Sequence, residues 1–510
     1  MARTALFRAV RRALIQSGAP FAPRALSRRA FLTSAAATAA AATAACASKP
    51  PPAPPAGPIA IIGGGLAGLT AAYRLAKANR PFALYEASNR TGGRALTRRD
   101  FNEDGQFCEL GAELVDTKHV PLRTLADELG VGLDRLGTEN STAEDVYHVA
   151  GRVRMQRDML DPATGRGAFA ALGRRIAEDQ AQLLDANEAW TAHARALDAI
   201  SVADYLARFR NMTPAWALQV LDIAYHGECG LPTSEQSALN LIDFIGVDPA
   251  DGFQVFGDSD EAFRIHGGSS SLPEALAARI GVTPAMEHAL VALHPEPNGV
   301  RLVFSTPNGL AERVHEKVVL ALPFTKLRQV AGIEALGLSE TKLRAIRELG
   351  YGDNAKLMVS TTSRPWNTPG LFRAQAKGIF YSDICQIVWE TSRAQAGARG
   401  VLTNFLASQQ DRDAALALMH AGLEALSPDM GGCLDPARTA WMAWARQPFA
   451  LGSYACARVG QYTTLLEEIA APSSDGRIHF AGEHTSADFM GFMCGAVESG
   501  ERVAAALLAA

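Results

Sequence analysis

Gly63-Gly64-Gly65-Leu66-Ala67-Gly68 places glycines at the spacing G-x-G-x-x-G. Glycines so spaced allow a tight turn, let the backbone approach a pyrophosphate, and let a helix pack closely on a strand. A helix that starts at such a turn aims free N–H groups at phosphate. Gly63, Gly65 and Gly68 are therefore candidate dinucleotide-binding residues. Glu86 follows 23 residues after Gly63, where a carboxylate can accept both ribose hydroxyls of an adenosine. Its charge also disfavours a 2′-phosphate, and so NADP. Arg90-Thr91-Gly92-Gly93-Arg94 adds a second glycine pair and, in Arg94, a cationic fork suited to pyrophosphate.

These residues need elements to hold them. Pro58 to Ile62 is a short apolar run suited to a buried parallel strand, and Phe82 to Tyr85 is a second one. Leu69 to Ala78 between them has helical character. Asn298-Gly299 and Asn308-Gly309 are hairpin-turn signals between strand-like runs. Leu357-Met358-Val359 reads as a buried strand.

Taken together, Gly63-x-Gly65-x-x-Gly68, Glu86 and Gly92-Gly93-Arg94 resemble the flavin amine oxidase superfamily, which includes monoamine, polyamine and L-amino-acid oxidases. The resemblance extends over nearly everything after residue 57. Glu109-Leu110-Gly111-Ala112-Glu113 is similar to the family segment beside the flavin ring. Ile265-His266-Gly267-Gly268 and the run Val318 to Pro323 resemble further family strands and turns. Ile478-His479-Phe480-Ala481-Gly482-Glu483-His484-Thr485, continued by Gly495-Ala496-Val497-Glu498-Ser499-Gly500, is the most specific match.

The resemblance implies an α/β fold. A Rossmann-like FAD-binding domain is assembled from residues 58–118, 263–324 and 441–510, and an α+β substrate-binding domain from 119–262 and 325–440. It implies FAD contacts at Gly63, Gly65, Gly68, Glu86, Ala87, Gly93, Arg94, Gly111, Ala112, Glu113, Leu290, Glu483, Gly495 and Ala496. Glu483 would lie along the ribityl chain, and His484 would be structural. A helix starting near Met493 would aim its N-terminus at the flavin, where oriented N–H groups stabilise the negative charge of reduction.

It also implies the reacting groups. Lys356, in Asn354-Ala355-Lys356-Leu357-Met358, matches the family's buried lysine, which holds a water near flavin N5. Burial disfavours a lysine's charge. Tyr454 and Phe492 match the two walls of an aromatic cage that holds an amine and excludes water. The position that carries a flavin-tethering cysteine in animal monoamine oxidases is Ser453 here, with Cys456 beyond Tyr454, so FAD is expected to be non-covalent.

The implied reaction is hydride transfer from an amine-bearing carbon to flavin N5. It gives an imine and then a carbonyl compound, with reoxidation by oxygen or an electron carrier. L-amino-acid oxidases and tryptophan 2-monooxygenases add an arginine that clamps the substrate carboxylate. Many carry it where this chain has Leu114, which favours an amine without a carboxylate; Arg98 or Arg264 could substitute. A flavin-binding protein that has lost catalysis is a third reading, opposed by Lys356 and the two rings.

Size and charge set the frame. A chain of 510 residues exceeds one compact core. Residues 1 to 46 hold seven of the 49 basic residues and no acid, leaving 42 basic against 53 acidic in the remainder. Such a body repels phosphate backbones, which argues against nucleic acid as a partner. The seven cysteines are scattered, without metal-ligand spacing, and read as mostly buried thiols. No metal ligands are expected.

Ser27-Arg28-Arg29-Ala30-Phe31-Leu32 resembles a twin-arginine export signal, followed by a mild alanine run from Ala35 to Ala45. That route carries folded proteins, which suits an enzyme that takes up its flavin before export. Processing at Ala45-Cys46 would leave either a plain cleaved end or a lipidated Cys46, with the Pro-rich stretch of residues 47–57 as a tether. A mitochondrial presequence is the competing reading. The expected partners are a small amine, oxygen or a periplasmic electron acceptor, the export machinery, and a second copy of the chain in a homodimer.

Overall fold

The computed structural model describes residues 59–137, 142–160, 166–246, 255–257 and 259–509. The expected export segment, its tether and Cys46 lie outside the described residues.

Ile59–Ile62 is a buried strand. It pairs in parallel with Phe82–Tyr85 on one side and Val318–Leu320 on the other, and Val318–Leu320 pairs in parallel with Ile478–Phe480. Four short apolar segments from distant parts of the chain thus form one parallel sheet. Strands covered on both faces carry near-continuous apolar runs, as these do.

The helix Leu66–Lys77 lies on one face, with the C-terminal helix Met493–Ala509 packed against it. It begins three residues before the expected Leu69, because the turn is completed within the glycines and Gly65 is already the extended N-cap. The helix Val120–Glu128 joins the same core through Leu122, Leu125 and Ala126, beyond the expected boundary at residue 118. On the opposite face, Phe324 packs with Ala60, Ile62 and Leu320, and so do Leu327, Ile346 and Leu349, which lie beyond the expected boundary at 324. In both places apolar burial carries the chain past the last motif residue.

Ala289–Glu296, Gly299–Thr306 and Gly309–His315 form an antiparallel meander. Its two-residue turns fall at the two Asn-Gly signals.

The second large element is a mixed seven-stranded sheet. Its spatial order is Leu434–Ala443, Ala355–Thr361, Gly400–Leu406, Gln386–Glu390, Ala376–Ser382, Glu144–Val149, Arg152–Met155. Successive side chains alternate between its faces. Phe380 and Val388 pack with Met419 and Leu423 of the helix Arg412–Leu426. Ile379, Tyr381 and Ile387 face a helical layer that includes Ala215–Cys229. Ala355–Thr361 is an inner strand with all seven residues buried. No helix among the described residues is long and apolar enough to cross a membrane.

Gly68 shows how close the glycine turn packs. A Cβ there would stand 1.9 Å from the Gly63 carbonyl oxygen. Alanine would favour a helix interior by about 1 kcal/mol over glycine, but such a clash costs about 1–3 kcal/mol. Gly68→Ala is therefore expected to lower the melting temperature in a thermal scan; an unchanged or raised midpoint would contradict this packing.

Candidate functional site

A cavity of about 580 Å³ lies between the parallel sheet and the seven-stranded sheet. Gly63, Gly65, Glu86, Ala87, Gly93, Arg94 and Leu290 line it on the side of the parallel sheet. Gly111, Ala112, Glu113, Glu483 and Ala496 line it too, and so do Lys356, Tyr454 and Phe492. Two expected contacts do not. Gly68 packs on Gly63, and a Cβ at Gly495 would stand 2.1 Å from the Phe489 carbonyl oxygen. Both are glycines for close packing rather than for touching a ligand.

The glycine turn is prepared for an anion. The helix Leu66–Lys77 has no side-chain cap and no acidic residue in its first turn, and Gly65, Leu66 and Ala67 line the cavity. Glu86 accepts from the Gly64 N–H at 2.6 Å through Oε2, and from the Ser88 N–H and hydroxyl at 2.8 and 2.7 Å through Oε1. A carboxylate has about four lone-pair sites, so these bonds orient Glu86 and leave capacity for a ribose. Arg90 folds over the loop, donating to the Gly93 carbonyl at 2.6 Å. It lines the cavity, a role that the sequence reading assigned to Arg94 alone.

Arg94 pairs with Glu483 at 3.1 Å and donates to the Ser453 carbonyl. Glu483 also accepts from the N–H groups of Ala455, at 3.3 Å, and Gly491, at 2.9 Å. This carboxylate therefore ties three segments together, which goes beyond the expected contact along a ribityl chain. His484 is buried with its ring against Phe324 at 4.4 Å. Burial holds its pKa well below the ordinary value, and neither ring nitrogen has a partner among the described residues.

The reacting side centres on Lys356. Gly111 must be glycine, because a Cβ there would stand 1.8 Å from the Arg94 carbonyl oxygen and 3.2 Å from the Trp444 ring. This close approach brings the Gly111 carbonyl and Glu113 under the strand Ala355–Thr361. Lys356 Nζ donates to the Gly111 carbonyl at 3.0 Å and to Glu113 Oε2 at 2.8 Å. Thr391 donates to Glu113 Oε1 at 2.5 Å, and the Trp389 ring centre lies 5.1 Å from Nζ. Lys356 and Glu113 are 3% and 7% exposed, so water screens little of this pair.

The lysine read as buried is thus matched by a carboxylate. Glu113, read as a flavin contact, has both oxygens engaged by protein. Burial pushes the Glu113 pKa up, but Lys356 and the hydrogen bonds from Lys356 and Thr391 outweigh it, leaving it below the ordinary 4.5.

Tyr454 and Phe492 stand at the same cavity. The Tyr454 hydroxyl donates to the Glu228 carbonyl at the end of the helix Ala215–Cys229. Phe492 is backed by His119, with ring centres 5.0 Å apart. Glu228, Glu261, Phe244, Phe256 and Tyr381 complete this side, and none had a local sequence signal.

The family profile of the flavin containing amine oxidoreductases matches residues 66–508. The chain belongs to that family. It is 24% identical over 459 residues to the (S)-6-hydroxynicotine oxidase of Paenarthrobacter nicotinovorans, covering 88% of this chain and 98% of that enzyme. It is 22% identical over 467 residues to the L-amino-acid oxidase of Pseudechis australis, covering 87% of this chain and 85% of that one. A solved structure of putrescine oxidase bound to putrescine shares the fold, with a TM-score of 0.74 and 22% identity over 89% of this chain and 99% of that one. FAD is the cofactor of this amine oxidoreductase, and the uncapped helix, Glu86, Arg90 and Arg94 fit its nucleotide half. Among the described residues no group of three or more His, Cys, Asp or Glu is placed to hold a metal ion.

The Lys356–Glu113 pair gives a pH-dependent prediction. A carboxylate whose pKa falls on folding adds stability above its unfolded value and loses it as the pH falls. Glu113→Gln leaves Lys356 buried and unpaired, at a cost of about 3–5 kcal/mol. The melting temperature of Glu113→Gln should lie well below wild type at pH 7, and the gap should narrow as the pH drops below about 4.5. A gap independent of pH would remove the ion pair from the stability account.

Proposed function

We propose that this chain oxidises the C–N bond of an amine that carries no carboxylate, with Lys356, Tyr454 and Phe492 as the groups around the reacting carbon. The observation that carries this is where the cavity's charges lie. Its arginines, Arg90 and Arg94, sit at the glycine loops and donate to the Gly93 and Ser453 carbonyls. Lys356 is matched by Glu113. The side of the helical layer presents Glu228 and Glu261 instead.

Leu114 lines the cavity at the position where an arginine clamp would stand. Arg98 is exposed, and Arg264 donates to the Thr391 carbonyl at 2.7 Å and pairs with Asp134 at 3.5 Å. Neither is among the lining residues. A substrate carboxylate would enter without a cation to meet it, and a buried unpaired charge is costly. L-amino acids remain the competing substrates, because L-amino-acid oxidases are among the relatives.

FAD, when bound, accepts the hydride equivalent from the substrate carbon. The protein groups orient and desolvate. The Tyr454 ring is fixed by its hydroxyl and the Phe492 ring by His119, so the two can hold a neutral amine by its faces and keep water out. An ammonium has three donors. Lys356 commits two, to Gly111 and Glu113, and its third can hold a water at the reacting side. The imine product hydrolyses to a carbonyl compound and ammonia or a smaller amine, and the electrons pass to oxygen or a carrier. With Ser453 before Tyr454, the flavin is held without a covalent bond. Residues 1 to 46 direct export of the folded enzyme.

Purified enzyme should be yellow and should release its flavin on acid precipitation; flavin retained in the pellet would show a covalent link. Mixed anaerobically with panels of amines and L-amino acids, it should be bleached by amines. Bleaching by amino acids alone would overturn the reading, and bound flavin that nothing reduces would favour a non-catalytic protein. Lys356→Met should keep FAD while flavin reduction or reoxidation slows by about 100-fold. Unchanged kinetics would take Lys356 out of the mechanism. N-terminal sequencing of the processed protein tests export: an end near Cys46 is expected, and an intact leader in exported protein would contradict it.

A further inference from the structure

The helix Ala215–Cys229 ends at the cavity, and its end is met from the reacting side. Gly230 takes a left-handed backbone, with φ of 68°, and stops the helix. The carbonyls of the last turn then lack intrahelical partners and need donors from elsewhere. The Tyr454 hydroxyl donates to the carbonyl of Glu228. The Asn354 side-chain amide donates to the carbonyl of Gly227, one residue earlier, at 2.6 Å.

Asn354 stands two residues before Lys356, is 1% exposed and lines the cavity. Its Oδ1 accepts the Ser453 hydroxyl at 2.7 Å, so one side chain joins the helix end to the residue before Tyr454. Two glycines make room for it. A Cβ at Gly230 would stand 2.0 Å from Asn354 Oδ1, and one at Gly352 would stand 2.8 Å from that oxygen and 2.6 Å from Ser453 Oγ. The backbone closes the same joint: the Ser453 N–H donates to the Gly352 carbonyl at 2.8 Å, and the Gly352 N–H to the Tyr454 carbonyl at 2.9 Å. The Tyr454 ring is thus mounted at both ends, through its backbone beside Ser453 and through its hydroxyl on the helix turn. Asn354 holds both mounts.

Resting on the reading of Tyr454 as a wall around the reacting carbon, we infer that Asn354 is a positioning residue for this ring. By holding the Gly227 carbonyl and the Ser453 hydroxyl at once, it fixes the acceptor of the Tyr454 hydroxyl relative to the Tyr454 backbone. It acts on the reaction through Tyr454, and a shift of about 1 Å at such a wall is enough to slow the chemistry.

The test is a double-mutant cycle on FAD-loaded enzyme, with flavin reduction by an amine and reoxidation by oxygen timed separately. Asn354→Ala should slow reduction by about 10-fold and leave reoxidation unchanged. Tyr454→Phe keeps the ring and removes the hydroxyl; in that background Asn354→Ala should add only about 2-fold. An equal slowing in both backgrounds, an equal slowing of both half-reactions, or no slowing overturns the inference. Should Asn354→Ala fail to fold, Ser453→Ala decides, because it removes one of the two links and no buried amide. Severalfold slower reduction supports the inference, and the wild-type rate overturns it. Reduction of wild type by L-amino acids alone overturns the amine reading, and the same cycle run with that amino acid still decides the role of Asn354. If nothing reduces the flavin, both fall.

Discussion

A lysine and a glutamate shut away from water must satisfy each other, and the placement of the reacting side follows from that constraint. Lys356 is on an inner strand of the seven-stranded sheet, and Glu113 is on a segment that runs back along Arg94. Taking two charges out of water costs several kcal/mol each, about what a good geometry with further hydrogen bonds can offset. Here Gly111 and Thr391 provide those bonds. The pair joins the glycine-loop side of the cavity to the sheet side, so the distance across the cavity is set by an interaction that tolerates little slack.

Glu483 makes the second closure. By accepting from Arg94, Ala455 and Gly491 it binds the loop after the second strand to the two segments that present Tyr454 and Phe492. The nucleotide-binding turn and the aromatic walls are thereby one mechanical unit. Helix termini add fixed partial charges to it. The starts of Leu66–Lys77 and Met493–Ala509 both reach the cavity, through Leu66 and Ala67 and through Met493 and Ala496. Neither helix has an acidic residue in its first turn to offset its dipole.

Much of this was legible in the sequence because the signals are contiguous. The turn from Gly63 to Gly68, the carboxylate at Glu86 and the block from Phe480 to Ala496 each fit into a strand, a turn and a helix start. The buried strand around Lys356 was legible from its apolar neighbours. What stayed hidden was pairing across long separations. Nothing near Lys356 marks Glu113 as its partner, and nothing near Tyr454 marks the Glu228 carbonyl as its anchor. Gly68 and Gly495 matched a ligand motif but serve packing, since a spacing cannot tell which atom a missing Cβ would strike. The expected boundaries at 118 and 324 leave out Leu122 and Leu327 for a related reason: they are ordinary apolar residues whose burial partners lie far along the chain.

The central claim is that the chain breaks a C–H bond on an amine-bearing carbon at this cavity. The most direct measurement is anaerobic stopped-flow bleaching of the enzyme's flavin by an amine and by the same amine deuterated at the carbon bearing nitrogen. The account predicts full bleaching by both, severalfold slower with deuterium. Bleaching only by an L-amino acid, or by no amine at all, would contradict it.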